Sequence, residues 1–314
     1  MPDAGQLDYP AIAIVGATAS GKSTLAITLA ERFRGEVVSC DALQVYRGMD
    51  IGTAKPSPEQ QKRIPHHMLD LRPPQVDFSA GDYIRLGRGV LRSIRERERI
   101  PIVAGGTGFY LRALIDGLFQ GPGRSEELRS RLGSIVARRG PKFIHRALRR
   151  VDPEAAARIT AADTERNIRA YEVFLLTGRP MSWWQSRPRD RLVGFRWLKI
   201  GIEWPRPELY ARIDHRVEEM IRNGLVAEVQ TLMSAHSRSD PAFKAIGYRQ
   251  IADYLEGKWS LEQAVSDIQR ESRRYAKRQI TWFRTDQEIV WLAAVEGEDA
   301  VLSRACTLVD SFLA

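Results

Sequence analysis

GATASGKST, residues 16–24, sets one glycine four residues ahead of a Gly-Lys-Ser triplet. That spacing lets a backbone wrap until successive N–H groups converge on an anion. Gly16, Ala17, Thr18, Ala19, Ser20 and Gly21 would form the cradle, Lys22 would reach the outer phosphate, and the Ser23 hydroxyl would take a place on Mg2+. The flanks support the reading. AIAIV (11–15) is an apolar run suited to a buried parallel strand. Leu25, Leu29 and Phe33 then fall at helical spacing, and Gly35 ends the pattern. A helix that begins where the loop ends aims its positive N-terminus at the bound anion. A glycine-rich turn of no special purpose is the alternative, and it has no need of a strand before it and a helix after it. The loop therefore reads as a phosphate site, although nothing in it requires ATP.

Outward from the loop the pattern repeats. EVVSCD (36–41) reads as a second strand ending in a carboxylate, and IPIVA (100–104) as another, followed by a GGTG turn (105–108) and a helix. Strand, glycine turn and helix in alternation give an α/β fold with a P-loop NTPase-like, doubly wound parallel sheet. Such sheets bind ligands outside the carboxyl ends of their strands. The loop 16–23, Asp41 and Thr107 all belong at such ends, so they can share one crevice.

From 122 to 192 the strand signals vanish, and arginine-rich helical stretches are punctuated by Pro122, Gly140-Pro141, Asp152-Pro153 and Pro180. The chain thus divides into a first core part (1–121), a helical insertion (122–192), and a return to the core (193–314) through FRWLKIGI (195–202), with helices to the end. The net charge of +9 is concentrated: residues 124–199 hold 18 Lys and Arg against 8 Asp and Glu. This suggests a surface for a polyanion, with an ordinary solvated helical face as the plainer reading. Near the end, Ser260 and Gln263 form a capping-box start, and Arg270, Arg273, Arg274 and Lys277 recur as a basic stripe beside Tyr275 and Trp282. Arginines with aromatics suit RNA backbone contact and base stacking, but an ordinary surface helix fits the same spacing. No apolar run approaches the roughly 20 residues of a membrane span. With only Cys40 and Cys306, neither a disulfide framework nor a cysteine-rich zinc site is expected. The opening residues lack a signal-peptide pattern, so the expected location is the cytoplasm.

Asp41 admits three roles by position alone: Mg2+ ligand, general base, or cap of the adjoining turn. The next residues narrow them. YRGMDIGTAKP (46–56) resembles a signature of the tRNA dimethylallyltransferases, also called tRNA isopentenyltransferases. GATASGKS is similar to that family's GPTASGKS loop, and CDALQVYRGMDIGTAKP (40–56) to its DSxQVYRGMDIGTAKP segment. IPHHMLD (64–70), AGGTGFYLRAL (104–114), residues 163–169, FKAIGYRQ (243–250) and KRQITWFR (277–284) match as well, so the resemblance spans nearly the whole chain.

The resemblance implies a prenyl transfer and no phosphoryl transfer. Dimethylallyl diphosphate would lie on the loop with Mg2+, and its prenyl group would pass to N6 of the adenine 3′ to the anticodon of tRNA. By motif, Asp41 matches the base, Thr107 a hydroxyl near the reacting atoms, and Lys22 a stabiliser of the leaving group. Arg216, in RIDHRVEEM, is a candidate second diphosphate ligand, with a plain surface arginine equally compatible. Contacts to tRNA are implied for Asp41, Ala42, Leu43, Gln44, Thr107, Arg129, Glu165, Arg166, Asn167, Ile168, Arg169, Lys244, Ala245, Ile246, Gly247, Tyr248 and Arg249. Three positions depart from the family pattern: Ala17 stands for the usual proline, Cys40 precedes the aspartate, and Ala42 replaces a serine. Two cysteines so distant as Cys40 and Cys306 do not supply the zinc finger of the eukaryotic forms, so the bacterial type is implied. A monomer is expected. A small-molecule or nucleotide kinase, and a non-catalytic RNA-binding NTPase, are the rival readings.

Overall fold

In the computed structural model, which describes residues 8–314, six strands build one all-parallel sheet. They are β1 (Tyr9–Gly16), β2 (Gly35–Ser39), β3 (His66–His67), β4 (Ile100–Gly105), β5 (Phe195–Glu203) and β6 (Ile289–Ala293), in spatial order β3-β2-β4-β1-β5-β6. Successive β1 side chains enter opposite layers: Ala11, Ala13 and Val15 join one buried cluster, Ile12 and Ile14 the other. A strand apolar on both faces is stable only where helices cover both. Here the helices Lys22–Arg32 and Glu298–Leu313 cover one face, and the helices Ala80–Glu96 and Leu261–Phe283 lie on the other. The α/β class with a parallel sheet is as the sequence predicts.

Two expectations needed correction. The segment after β5 is not helical to its end, because IVWLA (289–293) adds β6 to the sheet edge. The second strand stops at Ser39 instead of running to Asp41. There the backbone turns, because Asp41 Oδ1 accepts the Leu43 N–H at 2.8 Å, a local bond that competes with strand pairing.

Among the described residues, 8–115 together with Leu192–Ala314 form one compact unit, and Asp116–Arg191 a second. The second unit holds five helices, Glu126–Arg139, Pro141–Val151, Pro153–Arg158, Thr164–Thr177 and Met181–Gln185, around Leu148, Ala170, Val173 and Met181. Ser125, Asp152 and Asp163 cap three of these helices through side-chain oxygens, and Gly178 ends one in the left-handed region. Among the described residues no helix is long and apolar enough to cross a membrane.

The DIGTAKP segment is pinned by two charges. Glu228 takes the N–H groups of Asp50, Ile51 and Gly52 at 3.0, 2.7 and 3.2 Å, and the Tyr248 hydroxyl at 2.6 Å. Lys55 Nζ, almost wholly buried, reaches Tyr46 O at 2.8 Å and both Asp50 and Asp70 at 2.6 Å. Removing the carboxylate would orphan three backbone donors and a phenol together. Glu228→Ala should therefore cost about 2–4 kcal/mol in urea unfolding, while Tyr248→Phe, which deletes one donor, should cost about 1 kcal/mol.

Candidate active site

Three neighbouring strand ends make the site. β4 lies between β2 and β1, with Ser39 opposite Ala104 and Val15 opposite Gly105, so the three chains leave the sheet at nearly one level. The ladder continues past the strands: Cys40 N–H donates to Ala104 O at 2.8 Å, and Thr107 N–H to Cys40 O at 3.2 Å. Thr107 Oγ1 in turn accepts the Ala42 N–H at 3.2 Å. Thr107 and Asp41 are thereby held side by side. The contact uses the backbone of residue 42, so an alanine there serves as well as a serine for this bond. The approach is close enough that a Cβ on Gly105 would lie 2.0 Å from Cys40 O, which explains a glycine at that point of the turn.

After β1 the loop turns through Ala19 (φ 63°) and Gly21 (φ 90°) into the Lys22–Arg32 helix. The first-turn N–H groups of such a helix have no intrahelical acceptor and face outward for an anion. Side chains from distant parts of the chain fix the loop. Trp204 Nε1 donates to Ser20 O at 3.0 Å, Arg212 Nε to Ala19 O at 3.0 Å, and the Arg212 guanidinium lies 4.3 Å from the Trp204 ring centroid. On the opposite side Thr18 N–H donates to Gln279 Oε1 at 2.9 Å.

Lys22 folds inward, its Nζ donating to Ala17 O at 2.8 Å. Burial of the ammonium, and then the nearby Arg216 guanidinium, push its pKa down to about 8, while Asp41 acts the other way. Arg216 is likewise lowered by burial and stabilised by Asp41. Lys22, Arg216 and Asp41 thus share one local field, and Arg216 is half-buried. Burial disfavours the charge of both Lys22 and Arg216, with Asp41 acting on both and Glu219 on Arg216 in the opposite sense, and an incoming diphosphate would offset that cost.

The sequence model of the IPP transferase family matches residues 44–286. The chain belongs to this family. The tRNA dimethylallyltransferase of Koribacter versatilis is 48% identical over 296 residues, covering 94% of this chain and 96% of that protein. That of Geobacter metallireducens is 46% identical over 293 residues, 93% and 95% of the two chains. Among solved structures, the tRNA isopentenylpyrophosphate transferase of Bacillus halodurans superposes with a TM-score of 0.72 at 37% identity, over 97% of this chain and 96% of that one. A eukaryotic dimethylallyltransferase acting on tRNA gives a TM-score of 0.81 at 26% identity, over 97% of this chain and 79% of that one. These relatives are named as transferases and not as kinases.

Within this family member, the residues carried over by motif fall into groups with different availability. Gln44 is buried, bonded to Ser39 Oγ at 2.7 Å and to the carbonyls of Thr53 and Ala54 at 3.2 and 3.1 Å. Its side chain therefore shapes the loop. Ala42 and Leu43 are partly exposed at the turn. In FKAIGYRQ, Lys244 and Arg249 are exposed, Ala245 and Ile246 half-buried, and Gly247 and Tyr248 buried. In the second unit, Glu172 is fully buried and accepts Arg129 at 3.2 Å, Arg169 at 2.7 Å and the Ser125 N–H at 2.8 Å. Asn167 is also buried, donating to Thr160 O and Asp163 O at 2.8 Å each, and Ile168 is core. Glu165 and Arg166 remain open, their side chains 81% and 72% exposed.

The basic stripe is less basic than its sequence suggests. Arg270 is paired with Asp267, Arg273 with Asp214, and Arg274 with Glu271 at 2.7 Å. Tyr275 is half-buried, and burial and then the Asp41 charge push its phenol up to about 12. Sequence reasoning missed Gln279, Arg212 and Trp204 as supports of the loop. Gln279 carried a usable signal: it is a polar residue on the stripe of Ala264, Ile268, Ala276 and Phe283 that the helix buries.

Lys22 gives a pH test. Its charge is lost as pH rises through about 8, so a diphosphate ester that binds only the charged form should weaken about tenfold between about pH 7 and pH 9. Calorimetric titration over that interval checks this, and Lys22→Met should flatten the profile at weak binding.

Proposed function

We propose that this protein transfers the dimethylallyl group of dimethylallyl diphosphate to N6 of the adenine 3′ to the anticodon in tRNA, releasing diphosphate. The observation that carries the reading is the meeting of an anion loop, a carboxylate and a hydroxyl at three adjacent strand ends of a family member. The loop donors, Lys22 and Arg216 would bind the diphosphate; Asp41 and Thr107 would face the acceptor base.

The barrier in such a transfer lies in parting an allylic carbon from an anionic leaving group. N6 of adenine gives its lone pair to C1 of the dimethylallyl group as the C1–O bond breaks, and the bonding pair leaves with the diphosphate. Lys22, Arg216 and the loop amides are in place before the negative charge develops, so they stabilise it without reorganising. The proton that N6 must lose passes to Asp41, whose Oδ1 is held by the Leu43 N–H while its second oxygen stays free of that bond. Thr107 fixes the acceptor side of the crevice. An adenine stacked in a loop cannot reach this depth, so it enters extruded, as base-modifying enzymes require.

Mg2+ fits the site in one limited way. Among the described residues no group of three or more His, Cys, Asp or Glu could cage a metal. The exposed Ser23 hydroxyl at the helix start would share the ion with diphosphate oxygens, the usual manner for Mg2+. Bound there, it would add charge neutralisation to the leaving group. The RNA would be gripped outside the crevice by exposed cations such as Arg166, Lys244 and Arg249, with the insertion as a tRNA-binding domain. We place the enzyme in the cytoplasm, acting as a monomer.

The test is transfer of label from dimethylallyl diphosphate to an unmodified anticodon stem-loop with Mg2+ and without ATP. Asp41→Asn keeps an oxygen for Leu43 but removes the base, and should lower kcat about 10²–10⁴-fold while RNA affinity holds. An absolute need for ATP, with phosphate appearing on an acceptor, would sink this function.

A further inference from the structure

We infer that Gln279 is a positioning residue that sets the distance between leaving group and acceptor, a role that rests on the function proposed above. The phosphate loop and the GGTG turn leave different strands, β1 and β4, and each could shift independently beyond its strand end. The Gln279 carboxamide, from the helix Leu261–Phe283, bonds to both. Its oxygen accepts the Thr18 N–H at 2.9 Å, and its Nε2 donates to Gly106 O at 2.9 Å. The partners are 261 and 173 residues away in sequence, so the link is wholly tertiary.

The geometry is specific to an amide. One end must accept and the other must donate, which neither a carboxylate nor an aliphatic chain provides. Gln279 is only 6% exposed, so unmet partners would stay unmet. The turn is shaped around it: a Cβ on Gly106 would lie 2.0 Å from Gln279 Nε2. The bond also consumes the Thr18 N–H, turning that donor away from the anion and fixing the direction in which the loop continues. Thr18 lies four residues before Lys22, and Gly106 lies next to Thr107. One side chain therefore registers the cation of the leaving-group site against the hydroxyl of the acceptor site. Reacting groups held apart by an extra ångström lose rate steeply, on the order of 10²-fold.

The experiment compares wild type with Gln279→Met and Gln279→Glu, using calorimetry with inorganic diphosphate and Mg2+, RNA binding to an anticodon stem-loop, and single-turnover transfer. Gln279→Met keeps the volume and loses both bonds; Gln279→Glu keeps an acceptor for Thr18 but sets a carboxylate against Gly106 O. Both should weaken diphosphate binding about tenfold and slow transfer at saturating donor by about 10–100-fold, with stem-loop affinity unchanged within about twofold. Gly106→Ala, which pushes the carboxamide aside while keeping it, should act in the same direction and serves where a Gln279 variant fails to fold. Folded variants that have lost thermal stability, yet keep wild-type diphosphate affinity and transfer rate, would overturn the role and leave Gln279 an ordinary buried amide. Wild-type protein that binds no diphosphate would overturn this role and the proposed function together; binding intact in wild type and variants alike overturns only the role.

Discussion

The site depends on a hydrogen-bond ladder that does not stop where the strands do. Cys40 continues the pairing of β2 with β4 through Ala104 O, and Thr107 returns the bond to Cys40 O. Two loops that would otherwise wander are joined to each other before either meets a ligand. The Asp41 turn and the Thr107 hydroxyl inherit their positions from that backbone, as the phosphate loop inherits its own from β1 on the far side of β4. A crevice built this way is set by the sheet register, which the buried side chains on both faces hold against slippage.

Charge then gives the crevice its chemistry. Burial lowers both Lys22 and Arg216, so each carries an unfavourable desolvation that a bound diphosphate would relieve. Asp41 offsets part of it in the free protein and is itself engaged by the Leu43 N–H. The same P-loop grammar serves phosphoryl transfer elsewhere, so the loop by itself does not determine the reaction. The DIGTAKP segment beyond Asp41 is locked by Glu228 and Lys55, with the N–H groups of Asp50, Ile51 and Gly52 satisfied internally.

Much of this was legible in the order of residues. The spacing of residues 16–23 and the flanking apolar runs defined the loop, β1 and the sheet type, because those patterns are local. β6 was missed because IVWLA sits at a sheet edge, with Val290 exposed and Trp291 partly so, and five residues give little periodic signal. Motif matching named Asn167, Gln44 and Arg129 together with Arg166, yet only the last is largely exposed, and it is paired with Asp163 at 3.4 Å. Spacing cannot distinguish a side chain used internally from one offered to RNA, since that depends on partners such as Glu172 and Thr160 brought in by packing. The supports of the loop were invisible for the same reason. Trp204, Arg212 and Gln279 are remote in sequence from the atoms they hold.

The central claim is that the acceptor base enters the crevice between Asp41 and Thr107, opposite the phosphate loop. The most direct measurement replaces the acceptor adenine of an anticodon stem-loop with a photo-reactive base, irradiates the complex in the presence of diphosphate and Mg2+, and maps the crosslink by mass spectrometry. The account predicts attachment to the segments around residues 41–43, 107–109 or Tyr275, lost when a normal adenine competes. Crosslinks confined to the Asp116–Arg191 unit, with none at the strand ends, would contradict it.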